Sequence, residues 1–265
     1  MKRSSALARP GERACCRGAR VVIAIAWILA PIAPASAAGL NDTGQNSCYD
    51  TAGGVVACSL GGQDARYGRD AAAALGQVSK VGAGAAGFDY TKIGNNGDDL
   101  PASAVAGGGP TDWACTRDNV TGLTWEIKTA VNTDLRYMLH FYRWYSTAAN
   151  NGGFPGSQAG NACNGTLPQC NTAAYVQAVN DLGLCGNSNW RLPTFKELQS
   201  LLHYGAIRPA IDTTWFPNTP NSAYWSATSY PFGPGSAYTQ DFTDAQPYAN
   251  DKSANSRVRL VHSGP

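Results

Sequence analysis

Apolar and polar positions alternate most clearly between Gly122 and Lys128, where Leu123, Trp125 and Ile127 fall on one face of a predicted strand and Thr124, Glu126 and Lys128 on the other. The aromatic run from His140 to Tyr145 predicts a second strand, and the Gly-, Asn- and Pro-rich stretch from Asn150 to Cys170 a loop. The period then changes. Val176 and Val179 share one face of a helix predicted over Ala173 to Leu182, with Thr172 as N-cap and Gly183 as its stop. A further helix is predicted over 195 to 204: Pro193 keeps Leu192 extended, Thr194 caps the helix, and Glu197 completes a capping box. Leu198, Leu201 and Leu202 supply its buried face before Gly205. Beyond Pro209, Pro217 and Pro220, three short strands are expected at Ala223 to Thr228, Ala237 to Thr243 and Arg257 to His262. That order of elements predicts an α+β fold.

Composition changes the picture at the N-terminus. Lys2, Arg3, Arg9, Arg13, Arg17 and Arg20 precede an apolar run, Val21 to Pro34, and the small-residue site Ala35, Ser36, Ala37. This is the layout of a secretory signal over residues 1 to 38. The run is broken by Pro31 and Pro34 and falls short of the roughly 20 apolar residues that span a bilayer, which argues against an anchor. The expected location is the periplasm, the cell surface or the medium. Residues 39 to 110 hold 16 Gly and 13 Ala but no Trp, whereas every Trp beyond the signal follows residue 110. The first stretch is therefore expected to be an extended arm, laid along the domain by Phe88 and Tyr90, and the core to lie in 111 to 265.

Export also governs the cysteines. Cys15 and Cys16 leave with the signal, and the remaining Cys48, Cys58, Cys115, Cys163, Cys170 and Cys185 are even in number, which predicts three disulfides. Sequence alone leaves the pairing open; loop lengths favour Cys48 with Cys58 and Cys163 with Cys170, leaving Cys115 for Cys185. Zinc is disfavoured, because no C-x-x-C pair occurs and His140, His203 and His262 show no ligand spacing.

An ordered set of motifs resembles the bacterial domain family called DUF1566 or Lcl C-terminal domain. It runs from Trp113, Cys115, Asp118, Asn119, Thr121, Gly122, Leu123, Trp125 and Glu126 through Leu184, Cys185 and Gly186 to Trp190, Arg191, Leu192, Pro193, Thr194, Glu197 and Leu198. Pro209 to Asp212, Phe216 to Asn218, Tyr224 to Ser226 and Val258 to Val261 extend it. The resemblance implies a C-type-lectin-like fold, distantly similar to the formylglycine-generating enzymes, with two short helices and antiparallel strands. It further implies that the strands at Leu123 and Val258 pair and that loops after the second helix form the variable surface. One member of that family is the terminal domain of an adhesin that binds sulfated polysaccharide.

Candidate chemistry narrows from there. Arg191 and Glu197 read as a structural pair, with Glu197 capping its own helix, and His203 as a cation at that helix's C-terminus. No Gly-x-Ser-x-Gly elbow occurs. Asn95 to Asp99 reads as an acidic turn rather than a cation site, and no cofactor is expected. Balanced charge after residue 110 and the lack of a basic run argue against nucleic acid and polyanions as partners. Trp125, Trp190, Trp215 and Trp225 are assigned to the core. Tyr230, Phe232, Tyr248, Asn250 and Asp251, placed in late loops, are the candidate ligand-binding residues. The expected function is a secreted, non-enzymatic binding module for a neutral glycan or a surface protein, acting in adhesion or at the cell envelope. An assembly component docking through the arm is the alternative, and a formylglycine-generating type of enzyme ranks third.

Overall fold

The computed structural model describes residues 41–58 and 63–263. The predicted signal and its two cysteines lie outside the described residues. Among the described residues, a five-stranded antiparallel sheet forms the centre. Its strands are β3 (Tyr90–Gly94), β4 (Asp99–Leu100), β5 (Trp113–Asp118), β6 (Leu123–Glu126) and β10 (Val261–Ser263), in the order β10-β6-β5-β3-β4. A three-stranded sheet, β7 (Ala223–Ser229), β8 (Ser236–Asp241) and β9 (Pro247–Asp251), lies in the order β7-β8-β9. A hairpin of β1 (Cys48–Tyr49) and β2 (Val55–Val56) is closed by the Cys48–Cys58 disulfide and precedes the short helices α1 (Asp64–Tyr67) and α2 (Arg69–Ala74). The fold is α+β, as expected, and the other two disulfides, Cys115–Cys185 and Cys163–Cys170, pair as loop length favours.

The five-stranded sheet is covered on both faces, which simple alternation at Leu123 to Ile127 did not anticipate. Register sets Ile93, Cys115 and Glu126 abreast on one face, and Lys92, Thr116, Trp125 and Val261 abreast on the other. The first face meets Tyr175, Val179 and Trp190; the second meets Phe88, Leu198, Leu201 and Phe216. Polar residues at Glu126 and Lys128 are consequently as buried as their apolar neighbours. β10 pairs with β6 near the C-terminus, but it begins only at Val261: Val258, where the resemblance implied the paired strand, lies before it, and Arg257 bridges Tyr224 of β7 instead.

Several expectations need correction. The step in composition near residue 110 is not a structural boundary, because β3 and β4 precede it and pair in the central sheet; Phe88, Tyr90 and Ile93 are core residues. His140 to Tyr145 forms bridges rather than a strand: Tyr142 N–H donates to Ser256 O, Arg143 N–H to Cys170 O and Trp144 N–H to Lys252 O, so the 252–256 segment and Cys170 serve it in alternation. Helix α3 (Thr172–Leu182) is capped by Asn171, whose side chain accepts from Ala174 N–H, while the Thr172 hydroxyl bonds the Tyr145 backbone. Gly183, at φ 60°, ends it as expected. Helix α4 (Phe195–Gln199) starts at the predicted cap but stops five residues early. There His203 N–H turns to Ala210 O and Tyr204 N–H to Thr43 O, so the chain leaves the helix for long-range partners. His203 is thus no helix terminus; its ring packs 5.3 Å from Phe88 and under Gly44.

Candidate functional site

β7 carries a register shift between Trp225 and Ser229. Within it Ala227 N–H donates to Pro193 O, and Phe195 N–H donates to the Thr228 hydroxyl, so the irregular strand is stitched to the start of α4. Such a bulge re-aims side chains. It opens a cleft of about 660 Å3 floored by Thr194, Thr228 and Ser229, walled by Tyr230 and Pro234, and faced by the loop at Asn150. No charged residue lines it. The Ser229 hydroxyl is buried with no hydrogen-bond partner. The facing loop is held from beneath by Lys252, fully buried, whose ammonium donates to Asn151 O at 2.7 Å and Phe154 O at 2.8 Å and lies 4.1 Å over the Trp144 ring. Burial pulls the Lys252 ammonium below the ordinary lysine range.

The five candidate binding residues do not converge. Tyr230 lines the cleft and packs edge-on against Phe232 and Tyr238, at 5.6 and 5.4 Å between ring centroids; Phe232 is 86% exposed. Tyr248, Asn250 and Asp251 lie on the edge strand β9 rather than in loops. There Tyr248 OH donates to Asp244, and Asp251 accepts from the Ser253 N–H and hydroxyl. Thr228, Ser229 and Asn150 were not singled out from sequence; the signal for them was the Pro231 to Gly235 turn, which marks a tight hairpin after Ser229.

The profile of the Lcl C-terminal domain matches residues 114–262, more than half of the chain. The protein belongs to that family. No curated protein and no solved structure matches it. The matched range begins inside β5, so this Lcl C-terminal domain completes its sheet with β3 and β4 from outside that range.

The motif residues of the Lcl C-terminal domain serve its scaffold. Arg191 clasps Glu197 through two hydrogen bonds of 2.8 and 2.7 Å, and Thr194 and Glu197 exchange the two bonds of a capping box. Trp125, Trp190, Trp215 and Trp225 are all buried. Asn95 to Asp99 is a turn in which Asn96 donates to Asp98, while Asp99 takes both Nη atoms of Arg117 at 2.7 and 2.6 Å. Asp42, Asp64 and Asp70 offer carboxylate oxygens within 4.8 Å of one another, but Asp42 already accepts from the Gly44 and Asp70 N–H groups. On the sheet face that meets Tyr175, at and just beyond the end of β6, a buried ionic group forms: Lys128 Nζ contacts Glu126 Oε1 and donates to Tyr175 OH at 2.9 Å, and Tyr175 OH donates to Glu126 Oε2 at 2.7 Å.

Proposed function

We propose that the protein is an exported, non-enzymatic binding module whose β7 cleft takes a neutral, hydroxyl-bearing ligand, a glycan, in attachment or at the cell envelope. The observation that carries this reading is the cleft's chemistry: hydroxyls of Thr194, Thr228 and Ser229 and the amide of Asn150 for hydrogen bonds, the Tyr230 ring for stacking, and no charge. The resemblance to lectin-like domains agrees with loops after α4 forming the binding face. Three disulfides support an oxidising compartment. Among the described residues, no helix is long and apolar enough to cross a membrane. All six described cysteines are bonded, which takes away the thiol that formylglycine chemistry would use.

A neutral-glycan array followed by titration tests the reading. Saturable binding is expected, weakened about tenfold or more by Tyr230→Ala, as for a hot-spot aromatic, and unchanged by Tyr248→Ala, whose side chain does not line the cleft. Absence of binding to every neutral glycan, or equal loss in both variants, rejects it.

A further inference from the structure

A second cavity, of about 390 Å3, lies between the loop at Gly107 and the segment from Ile127 to Arg136. Its size falls within the roughly 300–1,000 Å3 typical of small-molecule sites. Trp113, Ile127 and Val131 make its wall apolar, while Thr129, Asp134 and Arg136 add polar groups. The Thr129 hydroxyl is buried without a hydrogen-bond partner. Arg136 is only 6% exposed, yet its Nη1 makes just two long hydrogen bonds, 3.2 Å to Ala114 O and 3.3 Å to Ile127 O. Its nearest carboxylate, Asp134, stands 3.9 Å from Nε and is a third exposed, with Oδ1 held instead by the Arg136 N–H at 2.7 Å.

Charge in the surrounding core points the same way. Lys128, Arg136 and Arg259 are all buried, and the carboxylate buried with them is Glu126, which Lys128 engages. The Arg259 guanidinium donates to oxygen atoms of neutral groups, the Glu126 carbonyl and the Thr219 hydroxyl, each at 2.7 Å, and lies over the rings of Phe216 and Tyr224. A buried cation without a close counter-charge is costly, and an anion placed against it relieves that cost.

We infer that this cavity binds a small organic carboxylate. Its anionic head pairs with the Arg136 guanidinium and accepts from the Thr129 hydroxyl, while its apolar body rests on Trp113, Ile127 and Val131. A planar guanidinium matches a carboxylate head in two parallel hydrogen bonds, which a spherical anion cannot reproduce. The site shares no lining residue with the β7 cleft, so it stands or falls independently of the glycan reading.

Benzoate titrated into the whole processed protein, followed by tryptophan fluorescence and thermal melting, tests the inference. A saturable signal and a melting temperature that climbs with benzoate concentration are expected. Benzamide, with the same ring and no charge, should do neither. Thr129→Val should weaken benzoate about tenfold, equivalent to about 1.4 kcal/mol. Because Arg136 also supports two main-chain carbonyls, the decisive variant is Asp134→Asn: its amide oxygen keeps the bond to the Arg136 N–H while the competing negative charge disappears, so benzoate should bind more tightly. No saturable response to benzoate, an equal response to benzamide or chloride, or unchanged or weaker binding in Asp134→Asn would overturn the site.

Discussion

At the scale of single residues, the telling feature is an ionic group placed where alternation expected solvent. Glu126 and Lys128 project from the β6 segment toward Tyr175, with side chains 0% and 4% exposed. Burial pulls the Lys128 ammonium down to about 8, with the Arg259 and Arg136 charges pushing the same way and Glu126 opposing. The Tyr175 phenol, buried and facing Glu126, is pushed well above its ordinary value. Removing one member of such a pair leaves an uncompensated charge in the core, costing about 3–5 kcal/mol, whereas removing both charges is far milder. Lys128→Met should therefore lose about that much in urea unfolding, and the double variant Glu126→Gln, Lys128→Met should recover most of it. Equal losses in the two would show that the charges are not coupled. The pH dependence has a definite sign: the native lysine releases its proton before the unfolded one, so this group adds stability as pH rises from about 8 toward the ordinary lysine value near 10.4. Lys128→Met should lack that rise.

At the scale of elements, α4 shows what local chemistry decides and what it does not. Its start was legible because every determinant lies within a few residues: Pro193 blocks helix before it, Thr194 caps it, and Glu197 returns the cap. Burial raises the Glu197 carboxyl, but hydrogen bonds from Arg191 and Thr194 outweigh this and hold it below the usual carboxylate range. Its contribution is present above the ordinary glutamate value, about 4.3, and is lost as pH falls through the lower native value. Glu197→Gln should therefore flatten the acid limb of a melting-temperature profile, modestly, since the Arg191 side chain is 41% exposed. Parallel profiles down to pH 3 would remove the ion pair from the account. The end of α4 was not legible, because the chain beyond it bonds Ala210 across a loop and Thr43, far along the chain. The bridges at Tyr142 to Trp144 escaped for the same reason. β9 was passed over because Pro247, Ala249 and Asn250 lack the β-branched and aromatic character that marks a strand; its pairing with β8 supplies the order. The cleft was legible only at Tyr230, since the Pro231 to Gly235 turn marks the hairpin but not the bulge through which hydroxyls such as Thr228 and Ser229 become a site.

At the scale of the whole molecule, a low-tryptophan, glycine-rich stretch turns out to complete the central sheet. Glycine and alanine content described residues 39 to 110 on average, but stability resides in a few positions: Phe88, Tyr90 and Ile93 are 0%, 1% and 4% exposed. Tyr90 meets Trp215 and Phe216 at 5.8 and 5.3 Å between ring centroids. Each such side chain contributes about 1.5–3 kcal/mol of burial, and a domain's net stability is only about 5–15 kcal/mol. Removing β3 would also turn β5 into an unpaired edge. A chain beginning at residue 111 is therefore expected to be aggregated or to melt far below the chain beginning at residue 39, and one beginning at residue 87 to recover most of the lost stability. Thermal melting and soluble yield of the three chains decide this. The Cys115–Cys185 bridge, whose ends are 70 positions apart and whose worth is about 4–5 kcal/mol, remains in all three, and Cys48–Cys58 is missing from both shorter chains, so the difference between those two isolates the sheet rather than a lost cross-link. Equal melting of the chains beginning at 87 and 111 would mean that β3 and β4 decorate a core already complete without them.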